Sequence, residues 1–317
     1  MKTKHSMQGT KRNDWLRRFT ALACLTVPIT ALASGPVPDF RVSRISLREK
    51  DAVDVVHGTI EQTFQSDFRV GEGRDMRFRE NNNTNTWHYD LLYTHRFTLN
   101  EQWQLRLGVD LDRRDLGDNH SNAPRTLQSY AAVIALDYAP TPQSRIFIEA
   151  HPGVYMEHDS GGETFDVPTI LGGVFPLVGD KLYLAAGVSL SILRSYPVLP
   201  IGGIIWHINE AWDLEACLPN PRIYFKTTEN LQIWAGGELT GGAFRLDTAN
   251  SPLPSRGKGT YYEIRAGGGF IYTGWKGIAV DICGGWAFER KFDMQRIPSI
   301  AATEGTPFAK ITFSATF

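Results

Sequence analysis

From about residue 86 to its last residue the chain alternates apolar and polar side chains with a period of two. No other feature restricts the fold as much, because successive side chains of a β-strand point to opposite faces. Trp103, Leu105, Leu107, Val109 and Leu111 alternate with Gln104, Arg106, Gly108, Asp110 and Asp112. Leu182 to Ile192 and Tyr262 to Tyr272 repeat the pattern. Ile278, Val280, Ile282, Gly284, Trp286 and Phe288 do the same against Asp281, Cys283 and Glu289. No stretch carries a comparable stripe at i, i+3, i+4, i+7, so the spacing predicts an all-β chain with few helices.

The connections predict how those strands are joined. Short turns recur at 99–101, 140–143, 178–180, 209–210, 228–230 and 274–275. Between them lie longer polar segments at 73–85, 116–125, 158–163, 249–258 and 291–306, and two tight ones near Tyr196-Pro197 and Pro219-Asn220-Pro221. Short turns alternating mostly with long loops describe a closed antiparallel up-and-down β-barrel with unlike ends. Six short turns join twelve strands. A first strand near Ile60–Gly71 and a last one at Pro307–Phe317 raise the count to fourteen, with twelve as the alternative. An even number places both termini at the short-turn end, as in bacterial outer-membrane barrels.

The start of the chain has a different character. Residues 1–19 carry six Lys or Arg against one Asp, and an apolar run of about 14 residues follows to Ala31-Leu32-Ala33. A basic head, a short apolar core and an A-x-A exit predict a cleaved signal peptide over 1–33. The expected order is then a periplasmic N-terminal segment over 34–58 and a transmembrane barrel over 59–317. The 284 residues left carry 27 basic and 33 acidic side chains, a net charge of −6. That balance argues against a general nucleic-acid binder. Beyond the leader no run reaches the roughly 18 apolar residues of a membrane helix. Cys217 and Cys283 are too few for a disulfide scaffold, and whether they pair is open at this stage.

Alternation alone does not say which face points inward. Three features favour a membrane barrel, whose apolar face meets lipid and whose lumen is polar. First, Trp87, Tyr89, Tyr93, Trp103, Tyr130, Tyr138, Trp212, Tyr262, Tyr272, Trp286 and Phe288 fall towards strand ends on the apolar face, as interfacial girdles do. Second, the chain alternates to its final residue, with Phe313 and Phe317 on the apolar face and Lys310 opposite. Third, the polar face is charged near mid-strand. Its candidate lumen residues are Arg106, Asp110, Asp137, Arg145, Glu149, Glu215, Arg222, Glu238, Glu263, Arg265, Asp281, Glu289 and Lys310. In a dry core each unpaired charge would cost several kcal/mol.

Two segments carry a resemblance. Pro197 to Tyr224 and on to Glu238 shows the order Pro, Gly, Trp206, Trp212-Asp213-Leu214, Pro219-Asn220-Pro221-Arg222, Tyr224. With the terminal strand, this resembles an uncharacterised family of bacterial outer-membrane β-barrel proteins. The resemblance covers roughly residues 195–245 and the last strand. It implies recognition of the final aromatic by the barrel assembly machinery, with Phe313 and Phe317 as the signal. It transfers no activity.

Chemistry-bearing motifs are absent: the sequence contains no G-x-S-x-G, H-E-x-x-H, P-loop or paired C-x-x-C. No cofactor or metal is expected. His151 and His158, near Glu157, Asp159 and Glu163, read as part of a solvated acidic loop rather than a cation site. The leading expectation is a passive channel for ions or small solutes, with Arg265 opposed to Asp281 or Glu263 across neighbouring strands. Expected partners are outer-membrane lipid, the assembly machinery and small solutes, and no nucleic acid. The main alternative is a non-conducting structural or binding barrel whose lumen is filled, favoured by Phe147, Tyr183, Tyr224 and Trp234 on the polar face. A rim-sited hydrolase and a soluble periplasmic β-sandwich are the lesser alternatives.

Overall fold

The structure, a computed structural model, describes residues 53–72, 75–117, 124–157, 165–194, 196–245, 258–294 and 299–317. The expected signal peptide lies outside them. Seventeen strand segments follow one another: β1 (Asp54–Glu72), β2 (Asp75–Thr98), β3 (Trp103–Asp115), β4 (Thr126–Thr141), β5 (Ser144–Ala150), β6 (Gly153–Glu157), β7 (Phe165–Asp166), β8 (Thr169–Val178) and β9 (Leu182–Leu190). They continue as β10 (Val198–His207), β11 (Trp212–Leu218), β12 (Arg222–Lys226), β13 (Leu231–Arg245), β14 (Lys258–Trp275), β15 (Ile278–Met294), β16 (Ser299–Thr303) and β17 (Thr306–Thr316).

These segments make fourteen staves, because three staves are each broken once. Pro152 separates β5 from β6 and Pro168 separates β7 from β8, where the ring removes a ladder N–H. Their carbonyls keep the ladder running: Pro152 accepts from the Ala132 amide at 2.9 Å and Pro168 from that of His151 at 2.8 Å. β16 and β17 form the third broken stave, and both pair with β15 and β1. β1 also pairs with β2. First and last staves are thus neighbours, and the antiparallel barrel is closed with fourteen staves. The first strand opens at Asp54, ahead of the expected Ile60.

The turns explain why so much of this is local. Asn100 and Asn209 each open an Asn-Glu-x-Trp turn. Each side-chain carbonyl accepts the amides two and three residues on, at 2.9 Å in all four bonds. Between β14 and β15 the turn falls at Lys276-Gly277, not at the expected 274–275. Gly277 holds φ 72°, a left-handed conformation that favours glycine.

The two faces are reversed relative to a soluble protein. Ile60, Leu91, Val109, Ile134, Ile148, Leu171, Ile233 and Ile311 are exposed on the outside. Glu61, Asp110, Asp137, Glu263, Arg265 and Asp281 are buried inside. An apolar belt outside and charge within is the signature of an outer-membrane barrel, and it sets the soluble sandwich aside. Most girdle aromatics are exposed as expected. Tyr262 is not: it packs, buried, against Leu239 and Ile264.

Wall height is uneven. β1–β4 and β13–β15 run 13–24 residues, whereas β11 has 7 and β12 only 5. Five residues rise about 17 Å at ~3.3 Å each, less than the hydrocarbon thickness. Above β12, the corner carbonyls of Pro219 and Pro221 take the Leu239 and Gly237 amides at 3.0 and 2.9 Å. Higher still, β6 crosses to β13 and pairs in parallel, Met156 against Arg245. The long-loop end is therefore closed by a narrower ring of the tall staves and β6.

Candidate functional site in the barrel lumen

Inside the barrel lies a cavity of about 370 Å³. It reaches from Val55, Asp213, Gln232 and Ser314 near the short-turn rim up to Tyr155 and Phe244. Period two along each stave is what aims these side chains inward. Of the residues expected at the lumen, Arg106, Asp110, Arg145, Glu149, Glu215, Arg222, Glu238, Asp281 and Lys310 line this cavity. Asp137 lies beside it, at a second cavity of about 90 Å³ near the 140–143 turn. Glu263 and Arg265 are buried in the wall beside it. The side chain of Glu289 lies outside the described set.

These charges are joined in pairs. Arg106 bridges Asp137 at 2.7 Å and Glu149 at 2.8 Å, and Arg145 reaches the same Asp137 at 2.6 Å. His151 sits between Asp110 at 2.8 Å and Glu149 at 3.0 Å. Lys310 meets Glu238 at 2.6 Å. The Tyr224 hydroxyl donates to Glu215 at 3.4 Å. A paired lumen has little net field, since each charge is cancelled within a few ångströms.

Two expectations are corrected here. Arg265 does not oppose Asp281. It bridges Glu263, two residues away on its own strand, and Glu61 of β1, reached across the two staves that lie between β14 and β1. Asp281 stands opposite Ile271, six residues along β14 from Arg265. It instead takes Arg222 at 3.5 Å and the indole N–H of Trp234 at 2.9 Å. His151 is not on a solvated loop: it is buried in the ion-pair network. His158, Asp159 and Glu163 lie outside the described residues.

Sequence reading placed Asp112 on the polar face but missed Glu61, His88, Asp90 and Arg114. All five line the same cavity. His88 holds Asp112 at 2.6 Å and Arg114 holds it at 3.3 Å. The alternation of Trp87, Tyr89 and Leu91 already places His88 and Asp90 on the inner face. One side of the lumen is apolar. Tyr224, Trp234, Ile271, Cys283, Ala287 and Phe308 form one buried cluster there. Val174, Tyr183, Ala185, Ile205 and Cys217 form another. Cys217 and Cys283 are both free, and they sit in different clusters. The Arg222 guanidinium lies 3.9 Å above the Trp234 ring.

A stopper closes the long-loop end. Leu116, Leu127, Tyr155, Leu193, Phe244, Tyr261 and Phe292, with two alanines, form one buried apolar cluster. Its members come from β4, β6, β13, β14 and β15 and from two connections, so they meet across the lumen. Leu193 enters on the short link after β9. Asp166 pins that link, accepting from the Ser191 hydroxyl at 2.5 Å and the Ile192 and Leu193 amides at 3.2 and 3.3 Å. Next to it Arg194 is buried, with Nε and Nη1 unbonded. Burial pulls its pKa down to about 10, against the opposing pull of Asp166 and Tyr155.

Among the described residues no group of three or more His, Cys, Asp or Glu is placed to hold a metal ion. No family model matches the chain, and no curated protein matches it. Several solved structures are similar in outline. The Pseudomonas putida toluene transporter TodX is 11% identical with a TM-score of 0.45, over 91% of this chain and 97% of that one. The Ralstonia pickettii toluene transporter TbuX is 10% identical at 0.39, over 90% and 99%. A Pseudomonas aeruginosa FadL homologue is 12% identical at 0.38, over 90% and 95%. Likeness of this size leaves function to the chemistry of the lumen itself.

Proposed function

We propose that this barrel is a passive, non-catalytic passage for small solutes across the bacterial outer membrane, shut at its long-loop end in the state described. The observation that carries the reading is the cavity of about 370 Å³, lined by charged and apolar side chains, inside an inside-out barrel. Its size admits a small solute, and its paired charges argue for solutes in general over ions of one sign. Asp166 and the Leu193 link form the removable part of the stopper. That Arg106, Asp110, Arg145, Glu149, Glu238, Asp281 and Lys310 govern what passes belongs to the same proposal. So does recognition of Phe313 and Phe317 by the assembly machinery.

Single-channel recording in planar bilayers tests it. The wild-type protein is expected to open rarely, and Leu193→Gly to open often. Both must first show the gel shift between unboiled and boiled samples that marks a folded barrel. A folded barrel that is silent in both forms would sink the reading. The satisfied ion pairs and the apolar stopper would then favour the second one, a filled, non-conducting binding barrel.

A further inference from the structure

Asp90 stands apart from every other acid at the cavity. On the neighbouring strands Thr59 and Asp112 face it directly, and Asp110 lies diagonally on the same face. Asp112 has His88 and Arg114, and Asp110 has His151. Glu61, Glu149, Glu238 and Asp281 each have a cation, Asp213 has the His207 ring, and Glu215 has a tyrosine hydroxyl. Among the described residues that line the cavity, Asp90 is the one carboxylate that no hydrogen bond or ion pair reaches. Asp90 is thus left without a bonded partner of its own beside two acids that have theirs.

We propose that Asp90 is the binding point for a small positively charged solute, a monovalent organic ammonium group. A carboxylate inside a protein wall with no hydrogen bond or ion pair of its own is costly, and a cation entering the cavity lowers that cost. An anion would find no partner at Asp90 and would be repelled by it. One carboxylate beside a threonine hydroxyl is too few oxygens for a divalent ion, which wants six or more ligands. A cavity of about 370 Å³ has room for an ion bearing several carbons, and Leu92 offers it an apolar neighbour on the same strand face. The proposal goes beyond passage, since binding requires no flux.

The test is isothermal titration calorimetry of the full-length mature barrel refolded in detergent, with folding confirmed by the gel shift. Tetramethylammonium is the probe and methanesulfonate the anionic control. The wild-type protein is expected to bind the first and not the second. Asp90→Asn should weaken tetramethylammonium binding at least tenfold, and Asp115→Asn, at the far end of β3 and outside the cavity, should leave it unchanged. Equal binding by Asp90→Asn overturns the proposal, as does wild-type protein that takes both probes alike or neither. Should Asp90→Asn fail to fold, the wild-type discrimination between the two probes decides alone. A barrel that binds the ammonium ion yet stays silent in bilayers refutes the passage reading and leaves this one standing.

Discussion

Replacing Arg265 by methionine measures how dry the lumen wall is around Glu61. One guanidinium nitrogen lies 2.5 Å from a carboxylate oxygen of Glu61 and 2.5 Å from one of Glu263. Those two oxygens are therefore no more than about 5 Å apart. All three side chains are almost wholly buried, at 3% exposure or less. Methionine keeps the packing and leaves the two carboxylates facing each other. At that separation their repulsion is about 3 kcal/mol for an effective dielectric near 20, and about 1 kcal/mol in bulk water. Losing one partner of a buried network costs a similar ~3–5 kcal/mol. Arg265→Met is thus expected to lose about 3–5 kcal/mol. Adding Glu61→Gln removes the repulsion and should return about 3 kcal/mol of it, a non-additivity typical of contacting residues. Urea unfolding of the vesicle-folded barrel, followed by tryptophan fluorescence, measures both. A loss within about 1 kcal/mol, the value of an exposed pair, would refute the reasoning and mean that water fills the lumen at this height.

Three further outcomes are expected. Val109, at the centre of β3, is 45% exposed on the outer face, so Val109→Arg should destabilise the vesicle-folded barrel by about 2–4 kcal/mol, and in detergent by less. Arg194→Met should stabilise by about 1–3 kcal/mol, because it removes buried donors that nothing satisfies; a loss of stability in the same urea titration would show that Arg194 has a partner. Phe317 is 74% exposed, so Phe317→Ala should alter folded stability by less than about 0.5 kcal/mol while lowering the amount of protein in the outer-membrane fraction of cells. Undiminished insertion would place the assembly signal elsewhere.

The stave count was legible because the contacts that set it are local. Asn100 and Asn209 close their turns on residues two and three positions ahead, so the hairpins can be read from a few letters. The charged inner face was legible for a similar reason, since period two is a property of one strand. Pairing between charges was not. Glu61 and Arg265 are 204 residues apart and meet only because the barrel closes between β1 and β17. Arg265 with Asp281 was a reasonable guess from adjacent strands, yet a shift of six residues along β14 separates them. Breaks at Pro152 and Pro168 were hidden as well, because proline marks a missing N–H without saying that its carbonyl will carry the ladder on.

The stopper and Asp90 were illegible for one shared physical reason: each is defined by what surrounds it. Leu193 sits in a link that reads as an ordinary tight connection, and it becomes part of a closure only when Asp166 folds the link inward. Asp90 reads as one acid among many on an inner face. Its distinction is that Asp110, Asp112, Glu149 and Glu238 have all found cations and it has not. In a lumen where charges cancel pair by pair, the field that a passing solute meets comes from the exceptions. A ring of paired charges sets the width of such a lumen, and the proposed binding of a cation rests on a single unpaired side chain. The long list of polar-face residues therefore describes the wall, and the proposed cation binding narrows to Asp90.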